Sequence, residues 1–283
     1  MIRKMEIIEQ FTTGKKGNQE TSEDALAINS CFAAVVDGCS CRFSVTYDGL
    51  TPGQIAARIA REAVLELCPE TTAEEAASYM NSKFLKWYKE AGILETVTAD
   101  RYRRCSCYYA MYSAYRRQVW VLGDCQALVG GHLITSKKTV DTLHELLRSY
   151  IIRVKVLKGD TEKSLEEHQQ DLRNIAKIVF ESQPLFQNTS DNLFGYSCID
   201  GFYLPGPMYK VYDIPDGVTE VVLASDGYPV LKGTLAETEA ELHKLLESDP
   251  LCYKKNLSVK GVLPGNVSYD DRSYVRIAIK PSR

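Results

Sequence analysis

Along the chain, apolar runs of strand length come in groups and amphipathic stretches come in groups. Met5 to Phe11, Ala25 to Ile28 and Phe32 to Val36 read as strands, together an opening antiparallel set. Two helices follow. "TPGQIAARIAREAVLELC" places Thr51 at an N-cap and Pro52 at the first helical position, with Ile55, Ile59 and Leu65 on one apolar side. "TTAEEAASYMNSKFLKWYKEAG" carries Thr72 and Glu75 at capping-box spacing and Gly92 as a stop. "CSCYYAMYSAYRRQVWVLGDCQALVGGHLIT" returns to strands broken by "YRR", "GD" and "GG", and reads as a meander. Thr139 to Glu181 is more helical and more charged, most clearly in "TEKSLEEHQQDLRNIAKIVFES", and reads as a helical insertion in a single domain spanning 1–283. The strand "EVVLAS", the helix "LAETEAELHKLLES" and the strand "RSYVRIAI" close the pattern. Strands in groups and helices in groups predict an α+β fold rather than a βαβ alternation.

Composition narrows the function classes. With 45% hydrophobic residues in 283, the chain has ample material for a buried core. Its formal charge of -3 provides no basic field for a nucleic-acid backbone. No apolar run approaches the roughly 18 residues of a membrane span, and "MIRKMEIIEQFTTGKKGN" has no signal-peptide core. An odd total of nine cysteines does not suggest a disulfide framework, and the two CxC pairs, Cys39/Cys41 and Cys105/Cys107, lack nearby histidines for a zinc site. The expectation is a cytoplasmic protein with reduced thiols and neither nucleic-acid nor membrane partners. No GxxxxGK[ST] phosphate loop is present.

Asp-Gly occurs five times, at Asp37, Asp48, Asp200, Asp216 and Asp226. An Asp-Gly pair after a strand is ordinarily a turn, because glycine accepts positive φ. Asp216 fits a hairpin turn, and Asp48 and Asp200 read as structural. Asp37 and Asp226 differ in that each ends an apolar run, "FAAVV" and "EVVLAS", of the kind expected in a strand covered on both faces. Asp270-Asp271 stands just before the last strand and Glu23-Asp24 before an early one. If these strand ends meet, carboxylates about 4 Å apart repel by about 4 kcal/mol at an effective dielectric of about 20. No basic residue accompanies Asp37 or Asp226 in sequence, so the two open readings are a hard divalent cation among the carboxylates or dispersed turn and cap aspartates.

These features in this order resemble the metal-dependent serine/threonine phosphatases of the type 2C class. Glu23-Asp24 is similar to that family's early "ED", "VVDGCS" to its "VFDGHGG", "GDCQALV" to its "GDSRAVL", "ASDGYPV" to its "ASDGLWD", and Asp270-Asp271 to its final "DN". The resemblance implies a four-layer αββα sandwich, two antiparallel sheets flanked by helices, that hydrolyses phosphoserine or phosphothreonine in a protein substrate. It implies two Mn2+ or Mg2+ ions held by Glu23, Asp37, the carbonyl of Gly38, Asp226 and Asp270, with Asp37 between the ions. Asp37, Asp226 and Asp270 would then act through metal-activated water. Asp24 would hold a metal-bound water, Asp100 would lie near the position of the family's third, weaker ion, and Asp124 of "GD" would belong to a turn. Three positions depart from the family. Cys39-Ser40 follow Asp-Gly where the family has a histidine, Gln19 stands where it has a phosphate-binding arginine, and Asp271 replaces its asparagine. Lys15 and Lys16 are the basic residues that would meet the substrate phosphate from the arginine's loop. The alternative function is a catalytically silent relative that binds a phosphoprotein as sensor or scaffold. Substrate recognition is expected from the 139–181 block and the loop "FGYSCIDGFYLPGPM".

Overall fold

The computed structural model describes residues 5–40, 43–175, 177–202 and 209–279; Cys41 of the first CxC pair and the 203–208 part of the aromatic loop lie outside them. The chain runs β1 (Met5–Thr13), β2 (Asp24–Ile28), β3 (Phe32–Gly38), α1 (Pro52–Leu65), α2 (Ala73–Glu90) and α3 (Leu94–Ala99). It continues through β4 (Cys107–Ser113), β5 (Gln118–Leu122), β6 (Gln126–Val129) and β7 (His132–Ile134). Four helices follow, α4 (Thr139–Leu157), α5 (Glu162–Glu167), α6 (Gln169–Ile175) and α7 (Lys177–Ser182). The last elements are β8 (Tyr209–Asp213), β9 (Glu220–Ala224), α8 (Leu235–Ser248) and β10 (Arg272–Ile279).

Among the described residues the strands make two five-stranded antiparallel sheets, ordered β1-β10-β9-β6-β7 and β2-β3-β4-β5-β8. Alternation along each strand explains the layers. Ala33 and Val35 of β3 meet Val221 and Leu223 of β9 and Val275 and Ile277 of β10 in the core between the sheets. The opposite face of β3, Phe32, Ala34 and Val36, packs on α1 and α2 through Ile55, Ile59, Met80 and Phe84. Val222, Ala224 and Tyr274 pack on Leu242 and Leu245 of α8. Both faces of β3 and β9 are therefore covered, which is why their sequences are apolar without alternation, and the result is the four-layer αββα sandwich.

Capping-box contacts form at Thr51 with Gln54 and at Thr72 with Glu75, and Gly92, at φ 67°, follows α2 as expected. Three expectations change. First, β1 does not join β2 and β3; it pairs with β10 at the far end of the chain, Met5 opposite Ile279. Met5 and Ile7 thereby reach the core between the sheets, a choice that local propensity does not make. Second, the expected meander is two hairpins in different sheets: β4 pairs with β5, β6 with β7, and the chain crosses between sheets at 123–125. Third, the charged stretch from Thr161 is three short helices. The break at His168, where φ is −113° and ψ 34°, turns buried Gln169 toward the Arg148 guanidinium and the Val262 carbonyl. Leu165 and Leu172 share a small core with Ile152, Leu251 and Tyr253, joining the helical block to the loop after α8. No helix among the described residues is long and apolar enough to cross a membrane. The eight described cysteines are unbridged.

Candidate metal centre

At one end of the sandwich, β3, β9 and the crossover after β5 finish together, and β10 begins. Asp37 is the next-to-last residue of β3, Asp226 follows β9 by two residues, and Asp124 sits in the crossover. One carboxylate oxygen from each lies within 4.8 Å of the others. All three line a cavity of about 540 Å³ that also takes in Lys15, Lys260 and Asp270. Asp24 stands opposite Asp37 in the β2-β3 register.

Burial first, and then the charges of Asp24, Asp124 and Asp270, push the Asp37 carboxyl well above the usual carboxylate range. Asp226 is pushed up in the same way by burial and by Asp270, Asp37 and Asp124. Burial also raises Asp24, with Asp271, Asp270 and Asp226 adding to it. Asp124 Oδ1 and Asp24 Oδ2 are buried with no hydrogen-bond partner. Crowded carboxylates with orphaned oxygens are a donor set that a hard divalent cation satisfies, since it takes oxygen ligands and cancels the mutual repulsion. The residues present therefore fit such an ion.

The glycines after Asp37 and Asp226 are not there for the left-handed region. Gly49, Gly201 and Gly217, after the other three Asp-Gly aspartates, have φ of 80°, 89° and 86°, whereas Gly38 and Gly227 do not have positive φ. A Cβ on Gly38 would lie 2.2 Å from the Gly53 carbonyl oxygen, and one on Gly227 would lie 2.0 Å from that of Asp271. Close backbone approach demands glycine at these two sites, and it draws the strand ends together. Asp200 has the structural role expected of it, fully buried and accepting from Arg104, Gln187 and Asn188 at 3.1, 2.8 and 2.9 Å.

The remaining candidates divide. Glu23 Oε1 accepts from the Thr51 hydroxyl at 2.6 Å and Oε2 from the Ser40 hydroxyl. Asp271 accepts from the backbone N–H of Lys15 at 2.7 Å and of Glu23 at 2.9 Å, so it fastens the β1-β2 loop to the start of β10. Lys15 Nζ stands 3.7 Å from Glu23, 3.8 Å from Asp270 and 3.5 Å from Asp271. Lys16 is exposed. Asp100 caps the 3-10 turn after α3, accepting from Tyr102 N–H at 2.9 Å and Arg103 Nε at 3.2 Å, and is not among the cavity-lining residues. Gly38 donates its N–H to the Glu23 carbonyl at 2.9 Å.

Sequence reasoning missed three members. Asp124 read as a turn residue, although it too follows an apolar run; its place depends on the sheet crossover. Lys138, at the N-cap of α4, reaches Asp124 and Asp141 at 2.9 Å each and lies 4.3 Å from the Tyr108 ring centre. Burial opposes its charge, and Asp124 and Asp141 more than offset that, so the ammonium is held above the usual lysine range. Lys138→Met leaves Asp124 without a cation in the metal-free protein, and urea unfolding in chelator should show a loss of about 3 kcal/mol. A loss below about 1 kcal/mol would remove Lys138 from the centre. The third, Lys260, comes from the loop between α8 and β10 and pairs with Asp270 Oδ2. No histidine occupies the Cys39-Ser40 position, but His144 of α4 lines the cavity. Burial pushes the Cys39 thiol up to about 12, so it is protonated at neutral pH and a poor nucleophile.

No protein-family model matches the sequence, and no curated protein matches it. Among solved structures, the serine/threonine phosphatase PstP/Ppp of Mycobacterium tuberculosis is similar at 14% identity, with 98% of this chain and 99% of that chain covered and a TM-score of 0.50. The Staphylococcus aureus serine/threonine phosphatase Stp1 has 14% identity, 99% and 98% coverage, and a TM-score of 0.48. The first of these likenesses shows that the chain has the fold of a serine/threonine phosphatase over nearly its whole length.

Proposed function

We propose that the chain is a metal-dependent phosphatase acting on phosphoserine and phosphothreonine in proteins, with Mn2+ or Mg2+ as its ion. The observation that carries this reading is the convergence of Asp37, Asp124 and Asp226 where the sheets end, at the floor of an open cavity, on a phosphatase fold. Those three carboxylates would hold the cation. When bound there, it supplies a Lewis acid for a phosphoryl oxygen and lowers the pKa of water. The chain's own residues do the rest. Lys15 and Lys260 line the cavity and, paired with Glu23, Asp270 and Asp271, offset much of the negative charge that an entering phosphate dianion would meet. Asp271 keeps Lys15 and Glu23 in register with β10. The protonated Cys39 thiol does not support a phosphocysteine route.

A second reading, a phosphoprotein-binding sensor without turnover, draws on Cys39 and Ser40 where the resembled family has histidine, and on Glu23 being taken up by two hydroxyls. Hydrolysis of p-nitrophenyl phosphate and of a phosphothreonine peptide, with Mn2+ and then with chelator, separates the two. Mn2+-dependent release of phosphate from both is expected. Peptide binding without phosphate release would support the sensor, and hydrolysis that persists in chelator would overturn the metal-dependent reading.

A further inference from the structure

The acidic residues at the end of the sandwich fall into two sets that differ in how they are satisfied. Glu23, Asp270 and Asp271 are already supplied by the protein. Glu23 accepts two hydroxyl hydrogen bonds, Asp271 accepts two backbone N–H groups, and Asp270 Oδ1 accepts from the Asp271 N–H at 3.0 Å. Two ammonium groups complete this set. Lys260 pairs with Asp270 Oδ2, and Lys15 lies within 4.0 Å of all three carboxylates. Both lysines are well covered, with side chains 20% and 23% exposed, so these pairs are weakly screened. Asp37, Asp124 and Asp226 form the other set, with one carboxylate oxygen of each within 4.8 Å of the others; Asp124 Oδ2 pairs with Lys138 at 2.9 Å, while its Oδ1 is buried and has no partner. Beside them lies the second orphaned oxygen, Oδ2 of Asp24, a residue only 5% exposed.

We propose that Lys260 is a built-in cation that takes the place of a second metal ion at the Asp226–Asp270 edge, so that the chain binds one divalent ion, at Asp37, Asp124 and Asp226. A dication brought to Asp270 would have to displace the Lys260 ammonium or stand beside it, and like charges at that range repel strongly in a covered site. Glu23, which the resemblance gives with the Gly38 carbonyl to the ion on the other side of Asp37, would likewise have to give up the Thr51 and Ser40 hydroxyls before it could bind an ion. A tethered ammonium supplies one positive charge with three donors and needs no ion from solution. Its charge reaches beyond its own partner, lowering the proton affinity of both Asp37 and Asp226. Asp270 thus becomes the anchor of Lys260 rather than a metal ligand.

This inference rests on the metal-dependent reading, but its test does not depend on turnover. Calorimetric titration of Mn2+ into the full chain, with metal analysis after desalting, counts ions directly. One ion per chain is expected for the wild type and for Lys260→Arg, and Asp124→Asn should weaken that ion at least tenfold. Lys260→Met, which keeps the stem and removes the charge, should bind a second ion. Two ions per chain in the wild type would overturn the proposal, as would a folded Lys260→Met protein that still binds one with unchanged affinity. No binding to the wild type would overturn it together with the metal-dependent function. One ion without phosphate release would refute the phosphatase and leave the count standing. Because the wild-type count needs no variant, a Lys260→Met protein that fails to fold does not remove the test.

Discussion

Asp37→Asn is expected to abolish Mn2+-supported hydrolysis of p-nitrophenyl phosphate while making the metal-free protein more stable at pH 8. The catalytic loss follows from removing one of three converging carboxylates. If the ion supplies about 4 kcal/mol of transition-state stabilisation, kcat falls about a thousandfold. The stability gain follows from proton linkage. Burial and the neighbouring charges of Asp24, Asp124 and Asp270 hold the Asp37 carboxyl above its unfolded value, and burial with its own acidic neighbours does the same to Asp24 and Asp226. Between the ordinary carboxylate pKa of about 4 and the raised folded values, the folded state binds more protons than the unfolded state. Stability of the metal-free protein is therefore greatest below about pH 4 on this account and falls as pH rises through the folded values. Asparagine keeps the shape and removes one of the opposing charges. Thermal unfolding in chelator should show wild-type Tm falling from pH 5 to pH 8, with a smaller fall and a higher Tm at pH 8 for the variant. A variant with lower Tm at pH 8 would mean that Asp37 is held by favourable contacts, and the crowded-acid account of the site would be wrong.

Gly227→Ala is expected to cost about 3 kcal/mol or more, as is Gly38→Ala, because each new methyl meets backbone rather than a movable side chain. The intruding Cβ would be 2.0 Å from the Asp271 carbonyl oxygen in the first and 2.2 Å from that of Gly53 in the second. Gly217→Ala is the control. Its glycine follows an Asp-Gly aspartate, has φ of 86° and has nothing within 4 Å of its added Cβ. Its cost should be the left-handed penalty alone, about 1–2 kcal/mol. Urea unfolding of the three variants compares them directly. The Gly227 change should also impair hydrolysis, since displacing Asp271 disturbs its bonds to the Lys15 and Glu23 backbone. Equal costs in all three would show that conformation, not close approach, explains glycine after Asp37 and Asp226.

Much of the scaffold is legible because its causes are local. Thr51 with Pro52 and Thr72 with Glu75 state two helix starts within four residues each, and "LAETEAELHKLLES" spans α8 from end to end. "FAAVV" and "EVVLAS" announce strands covered on both faces, and both are. The acidic residues at their ends follow from the same pattern, so Asp37 and Asp226 are visible as candidates before any coordinates. The 161–182 stretch misleads because helical composition does not say where a chain must turn to bury Gln169.

What the sequence determines by itself, then, is most of the strands and longer helices, the α+β class, and two of the three converging carboxylates. Tertiary structure alone decides that β1 belongs with β10, that the crossover after β5 delivers Asp124, and that Lys15, Lys138 and Lys260 arrive from three separate loops. The reason is one of range. Caps, turns and periodicity act within a few residues, whereas a carboxylate's partner is whatever charge the fold brings within about 4 Å, and Asp270 meets Lys15 from the opposite end of the chain. No basic residue is near Asp37 or Asp226 in sequence, yet the folded site holds Lys260 close enough to influence both.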